Sequence, residues 1–433
     1  MTGTSPLPHL PVAVIGGGQA GLSISYYLSS RGIEHVIFEK NSIAHSWKTQ
    51  RWDAFCLVTP NWQCQLPGFS YPGNDPKGFM LRDDIVAYVE AYAKRIAAPV
   101  KEGVSVKSVT SRAGGSFLLE TDEGKLIADA VVLAVSGYHV PNVPRMAERV
   151  TGAITQIHSS AYRNPDQLPP GEVLVVGSGQ SGCQIAEDLH LAGRKVHLAV
   201  GSAPRCPRVY RGRDAVEWLD DLGQYDLPVE QHSLKEKVRK NANHYLTGRD
   251  GGRDIDLRKF ASEGMSLYGR LRDFQDGKLL FANDLEENLD NADRVYNGIC
   301  GLIDDHIARN AIDAPASPHY TPVWRPSDTP QDLNLEQAGI SSIIWTTGFR
   351  SDWSWVELPV FDGSGYPTHQ RGVTSMEGLY VLGLPWLHTW GSGRFVGVGR
   401  DAEYLSGHIV KHLDAASKAR ELRSELLSAE SAA

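Results

Sequence analysis

The sequence lacks the features that mark several classes of protein. Its 433 residues contain no apolar run close to the ~20 residues that a membrane span needs. The five cysteines form no C-x-x-C or C-x4-C pair, which argues against a structural zinc site, a disulfide framework and a dithiol redox centre. The start, Met1 to Pro11, has neither the basic nor the apolar part of a secretory signal. These absences predict a cytoplasmic protein without a metal site, whose thiols stay reduced.

Excess positive charge is also missing. Lys and Arg number 43 against 51 Asp and Glu, which gives a net charge of −8 and argues against nucleic acid or an anionic membrane as a partner. Glycine is abundant, with 43 residues, but has no Gly-X-Y period, which excludes a collagen-like chain. Apolar residues make up 41% of the chain, enough for a large core, and the length suggests two or three domains.

A first group of glycines lies between a predicted strand and a predicted helix. The run Val12–Ile15 is typical of a buried strand, and GGGQAG at 16–21 leads into a helical pattern. In such a unit the first glycine makes the turn, the second admits a pyrophosphate and the third lets the helix pack closely. The next strand ends at Glu39, where a carboxylate can bind ribose hydroxyls. We therefore expect a dinucleotide site formed by Gly16, Gly18, Gln19, Ala20, Gly21, Glu39 and Lys40.

The same unit recurs 161 residues later, as GSGQSG at 177–182. Glu39 lies 18 residues after the last glycine of the first loop. At the same distance from the last glycine of the second loop stands Val200, and several arginines follow it. A carboxylate would repel the 2′-phosphate of NADPH and an arginine would bind it, so we predict FAD at the first loop and NADPH at the second. A solvated loop is the alternative interpretation of the arginines. The expected contacts are Gly177, Ser178, Gly179, Gln180, Ser181, Gly182 and, closest to the strand end, Arg205.

Several further segments resemble the flavin-containing monooxygenases. HSSAY at 158–162 is similar to the end of their fingerprint, TTGF at 346–349 to their domain-crossing strand, and GLYVLGL at 378–384 to the strand that reaches the flavin. The segments at 47–68 and 248–258 resemble a bacterial branch of class B flavin-dependent monooxygenases found in nitrilase gene clusters. The family resemblance covers nearly the whole chain.

This resemblance implies an α/β protein with two Rossmann-like domains, the NADP domain being inserted in the FAD domain. We expect the FAD-binding domain at 1–150 and 336–433, and the NADPH-binding domain at 151–335. Apolar residues at helical spacing over 285–307 predict a mainly helical insertion at about 205–328. A packed cap, an oligomer contact and a substrate lid are all open interpretations of that insertion.

The resemblance also implies a reaction. NADPH reduces FAD, and a C4a-(hydro)peroxyflavin then oxygenates a small organic substrate. The expected partners are therefore this substrate, O2 and a possible second copy of the chain. N-hydroxylation of an amine or amino acid is favoured. Baeyer–Villiger insertion, S-oxygenation, a reductase that passes electrons to a protein partner and a flavin-binding protein without turnover are the alternatives.

The same resemblance implies which residues surround the flavin. Asn61, His158 and Arg394 are candidates for holding the nicotinamide or the reacting oxygen, although a linker histidine bonded to the backbone is an equal interpretation of His158. The remaining expected cofactor contacts are Trp47, Thr59, Ser136, Gly137, Thr347, Gly348, Gly383 and Leu384.

Overall fold

A computed structural model describes residues 7–150, 152 and 154–432 of the chain, and in the last helix the side chains of 423, 424 and 426–432 are also outside the description. Residues 1–6, which belong to the segment considered above as a possible secretory signal, lie outside the described residues. So does Thr151, at the predicted domain boundary. The α-helices are α1 (Gln19–Ser30), α2 (His45–Thr49), α3 (Arg82–Arg95), α4 (Gln180–Leu191), α5 (Ala215–Asp221), α6 (Leu257–Ser262), α7 (Leu285–Arg309) and α8 (Phe395–Ala432).

The strands fall into two large sheets, one small sheet of three strands and three short pairs among the described residues. They are β1 (His9–Ile15), β2 (His35–Glu39), β3 (Gln65–Leu66), β4 (Phe69–Ser70), β5 (Val100–Glu102), β6 (Val106–Ser111), β7 (Phe117–Thr121), β8 (Gly124–Leu133), β9 (Val140–Pro141), β10 (Thr155–His158), β11 (Glu172–Val176), β12 (Val196–Ala199), β13 (Val209–Tyr210), β14 (Arg213–Asp214), β15 (Ser266–Tyr268), β16 (Leu271–Gln275), β17 (Lys278–Phe281), β18 (Asp332–Asn334), β19 (Ile340–Trp345), β20 (Phe349–Arg350), β21 (His369–Gln370), β22 (Val373–Thr374) and β23 (Leu379–Val381).

The first sheet is built around β1. Strand β1 pairs in parallel with β2 on one side and with β8 on the other, and β23 extends the parallel core beyond β8. The run Val12–Ile15 is buried throughout, as expected of a strand covered on both faces. The carboxyl ends of β1 and β2 therefore meet at one edge, where the first glycine loop and Glu39 stand.

The second sheet is parallel, in the order β10-β19-β11-β12-β15. Strand β19 lies between β10 and β11, so it belongs to the second unit although we expected residues from 336 onwards in the FAD-binding domain. That boundary is wrong for this strand, because an apolar run shows burial but not which sheet it joins. The chain returns to the first unit at β20, which pairs with β9.

The inserted stretch contains the expected long helix, α7, whose apolar side chains at helical spacing are buried. Before α7 the stretch is less helical than predicted. Helices α5 and α6 are short, and β15 is a strand of the parallel sheet. Prolines such as Pro207 and Pro228 and frequent glycines interrupt regular helices here.

One buried apolar cluster extends through both units. It includes Val12 and Leu22 of the first unit and Val173 and Ile185 of the second. Helix α8 packs on α1, the helix that follows the first glycine loop. The two units are thus held together by a continuous core, and the two loops keep a fixed relationship.

Candidate active site

The first glycine loop has the backbone that a dinucleotide requires. Gly16 has φ +108°, and a Cβ there would lie 2.6 Å from the carbonyl oxygen of Ala134. A Cβ on Gly21 would lie 1.9 Å from the carbonyl oxygen of Gly16, so α1 and β1 approach this closely only with glycine. A Cβ on Gly18 would meet nothing within 4 Å. This open side adjoins the free N–H groups at the start of α1 and fits a pyrophosphate.

Glu39 is held at the mouth of this loop. One carboxylate oxygen accepts a hydrogen bond from the backbone N–H of Gly17 over 2.8 Å, and the other accepts one from Asn41 over 2.9 Å. These bonds fix the carboxylate at the end of β2, where it has further lone pairs for ribose hydroxyls. Lys40 follows it and is exposed.

The loop also touches the end of the chain. The amide of Gln19 donates to the carbonyl oxygen of Gly393 over 3.3 Å. Gly383 has φ +80°, and a Cβ there would lie 2.7 Å from the Cβ of Ala20. Leu384 beside it is buried in the core. The last strand is thereby brought against the first loop, as expected for the part that reaches a flavin.

The second loop repeats this geometry. Gly177 has φ +107°, a Cβ on Gly182 would lie 2.0 Å from the carbonyl oxygen of Gly177, and a Cβ on Gly179 would meet nothing within 4 Å. The hydroxyl of Ser178 accepts from the N–H of Gly201 over 2.9 Å, and Ser181 is exposed in the first turn of α4. A second pyrophosphate fits here for the same reason as the first.

The amide of Gln180 bonds to the inserted stretch, whereas the amide of Gln19 bonds to the segment before α8. It donates to the carbonyl oxygen of Leu246 over 2.7 Å and accepts from the N–H of Leu246 over 3.2 Å. This pair of bonds ties the second loop to the inserted stretch.

Arg205 does not lie where a 2′-phosphate could reach it. The side chain is only 2% exposed, and its guanidinium lies 3.1 Å from Asp293 and 3.5 Å from Asp256. The rings of Tyr296 and Tyr320 flank it at 4.4 and 4.0 Å. The prediction for Arg205 is therefore corrected: after the strand end the chain turns inward, and this arginine forms a buried ionic contact.

A different arginine stands at the second loop, and the sequence analysis missed it. Arg270 follows β15, is exposed, and its Cγ lies 4.0 Å from the position of a Cβ on Gly201. Its Nε donates to Asp284 over 2.6 Å, which leaves the rest of the guanidinium open. Only the pairing of β12 with β15 brings it beside Ser178, so no local sequence signal identifies it.

Four further expected contacts lie in two segments, 47–61 and 136–138. Trp47 stacks on Phe395 with 6.1 Å between ring centroids. Ser136, with φ +64°, offers its carbonyl oxygen to His139, and the carbonyl oxygen of Gly137 accepts from Ser351 over 3.0 Å. Thr59 is half-buried in the loop that follows Trp47. This junction, where 47–61, 136–138 and 383–397 meet, is called the ring region below.

The amide of Asn61 and the imidazole of His158 are occupied by protein groups. Asn61 donates to the carbonyl oxygen of Asp75 and accepts from the N–H of Met80, so its amide holds the 75–80 loop. His158 bonds the carbonyl oxygen of Gly348 through Nε2 over 2.9 Å and Ser160 through Nδ1 over 3.0 Å. Burial lowers the pKa of His158. The structure thus gives both residues positioning roles.

The crossing segment around Gly348 is held by several such bonds. The carbonyl oxygen of Gly348 also accepts from the N–H of Asn142 over 2.9 Å, and the hydroxyl of Thr347 donates to the carbonyl oxygen of Asn142. Phe349 packs edge-on against the ring of His158 at 4.9 Å. Thr347 and Gly348 therefore lie where the chain crosses from the second unit to the first.

Arg394 is the candidate that faces the ring region. Its Nη2 donates to Asn243 over 2.8 Å, its Nη1 donates to the carbonyl oxygen of Trp390, and its guanidinium lies 3.7 Å from the Trp390 ring centroid. Burial lowers the pKa of Arg394 to about 10. A role of Arg394 in holding the nicotinamide or the reacting oxygen stays a prediction.

Part of the inserted stretch covers the end of the first unit. Residues 225–244, called the lid segment, lie over 386–400: the N–H of Val229 donates to His388 over 2.7 Å, and Arg239 donates to the carbonyl oxygen of Trp386 over 3.1 Å. Tyr225 packs on Trp390 with 4.6 Å between centroids. Of the interpretations left open for the insertion, a cover over the ring region is the one that these contacts favour.

Other chemistries find little support in the described residues. The cysteines at 56, 64, 183, 206 and 300 are all buried and unpaired. Among the residues that the structure describes, no group of three or more His, Cys, Asp or Glu could hold a metal ion. No helix in the described part of the chain is long and apolar enough to cross a membrane.

Comparisons with known proteins identify a family match and similar sequences. Residues 13–248 match the family described as pyridine nucleotide-disulphide oxidoreductase. The chain is 33% identical over 404 residues to the "Uncharacterized oxidoreductase CzcO-like" of Geobacillus kaustophilus, covering 93% of this chain and 98% of that one. It is 30% identical over 242 residues to indole-3-pyruvate monooxygenase YUCCA1 of rice, covering 55% of this chain and 58% of the relative.

The fold also has solved counterparts. A flavin-containing monooxygenase from Stenotrophomonas maltophilia superposes with a TM-score of 0.64 at 19% identity, over 94% of this chain and 99% of the other. The predicted α/β fold with two Rossmann-like units is confirmed. FAD and NADPH, predicted from the two loops, are confirmed as the cofactors by the family match, and both cradles fit them.

Proposed function

The chain belongs to the pyridine nucleotide-disulphide oxidoreductase family, and from that premise we propose that it oxygenates a small organic substrate at nitrogen. It is an enzyme of the flavin-dependent monooxygenase group. An amine or amino acid is the substrate class that the resemblance favours. S-oxygenation and Baeyer–Villiger insertion remain alternatives within the same site.

One observation carries the proposal: the chain has two glycine loops of the same geometry, and only the first has a carboxylate at the ribose position. Glu39 stands at the first loop, whereas the second has exposed Arg270 beside Ser178. A flavin nucleotide suits the first arrangement and a phosphorylated nicotinamide nucleotide the second. We propose that Arg270 binds the 2′-phosphate of NADPH.

The side chains around the ring region would support oxygen transfer. A bound flavin reduced by NADPH supplies activated oxygen. Helix α8 begins at Phe395 beside Trp47, so its free N–H groups would stabilise negative charge on a ring bound there. The lid segment, through Tyr225 on Trp390, would exclude water from the reacting atoms.

A reductase that passes electrons to a protein partner is less compatible with these contacts. Such an enzyme needs an exposed flavin edge or a reactive thiol pair, whereas the lid segment covers 386–400 and burial raises the pKa of Cys64 to about 12. Cys56 and Cys183 are also buried, and the pKa of each thiol is raised by desolvation.

The direct test is the fate of NADPH electrons in the purified, FAD-loaded protein. We expect NADPH and O2 to be consumed in equal amounts with an amine or amino acid, with an oxygenated product and little hydrogen peroxide. Rapid reduction of a ferredoxin, with no product from any amine, sulfide or ketone, would overturn the proposal in favour of a reductase. Product from sulfides or ketones alone would replace nitrogen as the oxygenated atom.

A further inference from the structure

Two arginines next to the ring region have no acidic partner. Arg394 donates to Asn243 and to the carbonyl oxygen of Trp390, and Arg51 donates over 2.9 Å to the carbonyl oxygen of its own neighbour, Gln50. Within the described part of the chain, neither forms an ion pair with an Asp or Glu oxygen within 4 Å. Both side chains are half-buried.

The two guanidinium groups belong to one neighbourhood. Arg51 lies 5.0 Å from the ring centroid of Trp47, and Trp47 stacks on Phe395, the residue that follows Arg394. Arg51 therefore lies over one ring of the Trp47–Phe395 stack, and Arg394 adjoins the other ring along the chain.

The fully buried arginines in the described part of the chain each have an acidic partner. Arg205 contacts Asp293, Arg208 lies 2.8 Å from Asp214, and Arg258 lies 2.8 Å from Asp293. A guanidinium withdrawn from water without an anion raises the free energy of the protein, which is why most buried cations are paired. In keeping with this, desolvation lowers the pKa of both Arg51 and Arg394. An anion brought by a ligand would remove that penalty.

The two cofactor pyrophosphates have other places. Each fits at a helix start, one at Gly18 before α1 and the other at Gly179 before α4, where the glycine has open space. Arg394 instead immediately precedes α8, under the lid segment, with Trp390 and Tyr225 as apolar neighbours. Apart from the negative charge of a reduced flavin, which the start of α8 would stabilise, the anion that remains to be matched is one carried by the substrate.

We propose that the substrate carries a carboxylate, which Arg394 binds while Arg51 adds the second positive charge. This inference rests on the oxygenase function proposed above and names its substrate class: a carboxylate-bearing molecule, an amino acid where nitrogen is oxygenated. The two positive charges would also lower the pKa of an ammonium group on the substrate. They would thereby favour the neutral amine, whose lone pair attacks the oxygen atom that is transferred.

The first experiment measures binding without turnover. FAD-loaded wild type is titrated with phenylacetate, 3-phenylpropanoate, L-phenylalanine and L-methionine, each beside its amide, and the flavin absorbance is followed. We expect at least one acid to bind roughly tenfold or more tightly than its amide, because a charge-assisted hydrogen bond contributes about 1.5–3 kcal/mol. Equal affinities for every acid and amide pair would overturn the proposal.

The second experiment uses Arg394→Gln, with Arg394→Lys and Arg51→Gln beside it and exposed Arg350→Gln as the matched control. FAD content and thermal unfolding show that each variant folds. We expect Arg394→Gln to weaken the acid about ten- to a hundredfold, Arg394→Lys to restore part of the affinity, and Arg350→Gln to change nothing. The rate of flavin reduction by NADPH, measured without substrate, is compared with the acid affinity in each variant, and Arg350→Gln should leave both unchanged.

The outcomes separate the two proposals. If Arg394→Gln slows flavin reduction as much as it weakens the acid, the arginine serves NADPH and the carboxylate assignment is wrong. If neutral amines are oxygenated as efficiently as acids, the substrate class is wrong while the oxygenase stands. If acids bind through Arg394 but no substrate is oxygenated, the oxygenase is wrong while the anion site stands.

Discussion

The Nη1 atom of Arg205 lies 3.1 Å from the Oδ1 atom of Asp293, inside the inserted unit and away from solvent. This contact predicts that Arg205→Ala acts on stability. Removing one partner of a buried pair leaves an uncompensated charge and costs about 3–5 kcal/mol. We expect a clear fall in the free energy of unfolding, measured by denaturant titration, with the ratio of the NADPH and NADH KM values unchanged. A selective rise in the NADPH KM at unaltered stability would return Arg205 to the phosphate role.

Arg270→Ala should change cofactor choice instead. Loss of a charge-assisted contact to the 2′-phosphate is worth about 1.5–3 kcal/mol, so the KM for NADPH should rise roughly ten- to a hundredfold while that for NADH stays near its original value. The steady-state rate at varied cofactor concentration gives both values. Arg272→Ala, two residues along and also exposed, is the matched control. If both cofactors respond equally, Arg270 does not bind that phosphate.

The glycines of the two loops should separate into two classes. Gly18 and Gly179 have open space, so Gly18→Ala should fold with reduced FAD content, and Gly179→Ala should keep FAD but raise the NADPH KM. At Gly21 and Gly182 a Cβ would overlap a carbonyl oxygen, so alanine there should prevent folding of the unit. Soluble yield, flavin absorbance and KM distinguish the classes. Full FAD binding by Gly18→Ala would contradict the assignment of the first loop.

His369 should make stability depend on pH. Burial, then the charge of Arg239, lowers the pKa of His369 to about 4, whereas the unfolded chain has a pKa near 6.5. Tyr366 and the N–H of Gly372 are its other neighbours, at 3.3 Å. Between pH 4 and 6.5 the unfolded state binds more protons at His369 than the folded state does. The contribution of His369 to the free energy of unfolding is therefore complete above pH 6.5 and is lost as the pH falls towards 4.

The measurement is the unfolding midpoint at a series of pH values from 7.5 to 4. His369→Gln should reduce the loss of stability in acid relative to wild type, and His45→Gln, in α2, serves as the control. An unchanged pH profile in His369→Gln would show that other histidines dominate the acid response.

The parts of the site that the sequence predicted are those governed by neighbouring residues. The third glycine of each unit, Gly21 or Gly182, was needed because the carbonyl oxygen of the residue five positions earlier leaves no room for a Cβ, and that constraint is visible in the local pattern. Glu39 could be found because it ends the strand that follows the first helix, a spacing that the sequence also shows. Helix α7 was also predictable, because its apolar spacing has the helical period.

The parts that were missed or misassigned depend on residues far apart in the chain. Arg205 and Arg270 are both arginines after a strand, and only the positions of Asp293 and of β15 decide which is buried and which faces the loop. Strand β19 joined the second sheet because of its partners, not its composition.

By itself, therefore, the sequence determined that this chain has two dinucleotide cradles and a different nucleotide in each, because steric limits and the sign of one side chain act over a few residues. Only the tertiary structure decided where the free positive charges stand. The charge of an arginine is compensated when a carboxylate from another element of the fold forms an ion pair with it. In the described part of the chain, the fold leaves Arg51 and Arg394, beside the ring region, without such a carboxylate.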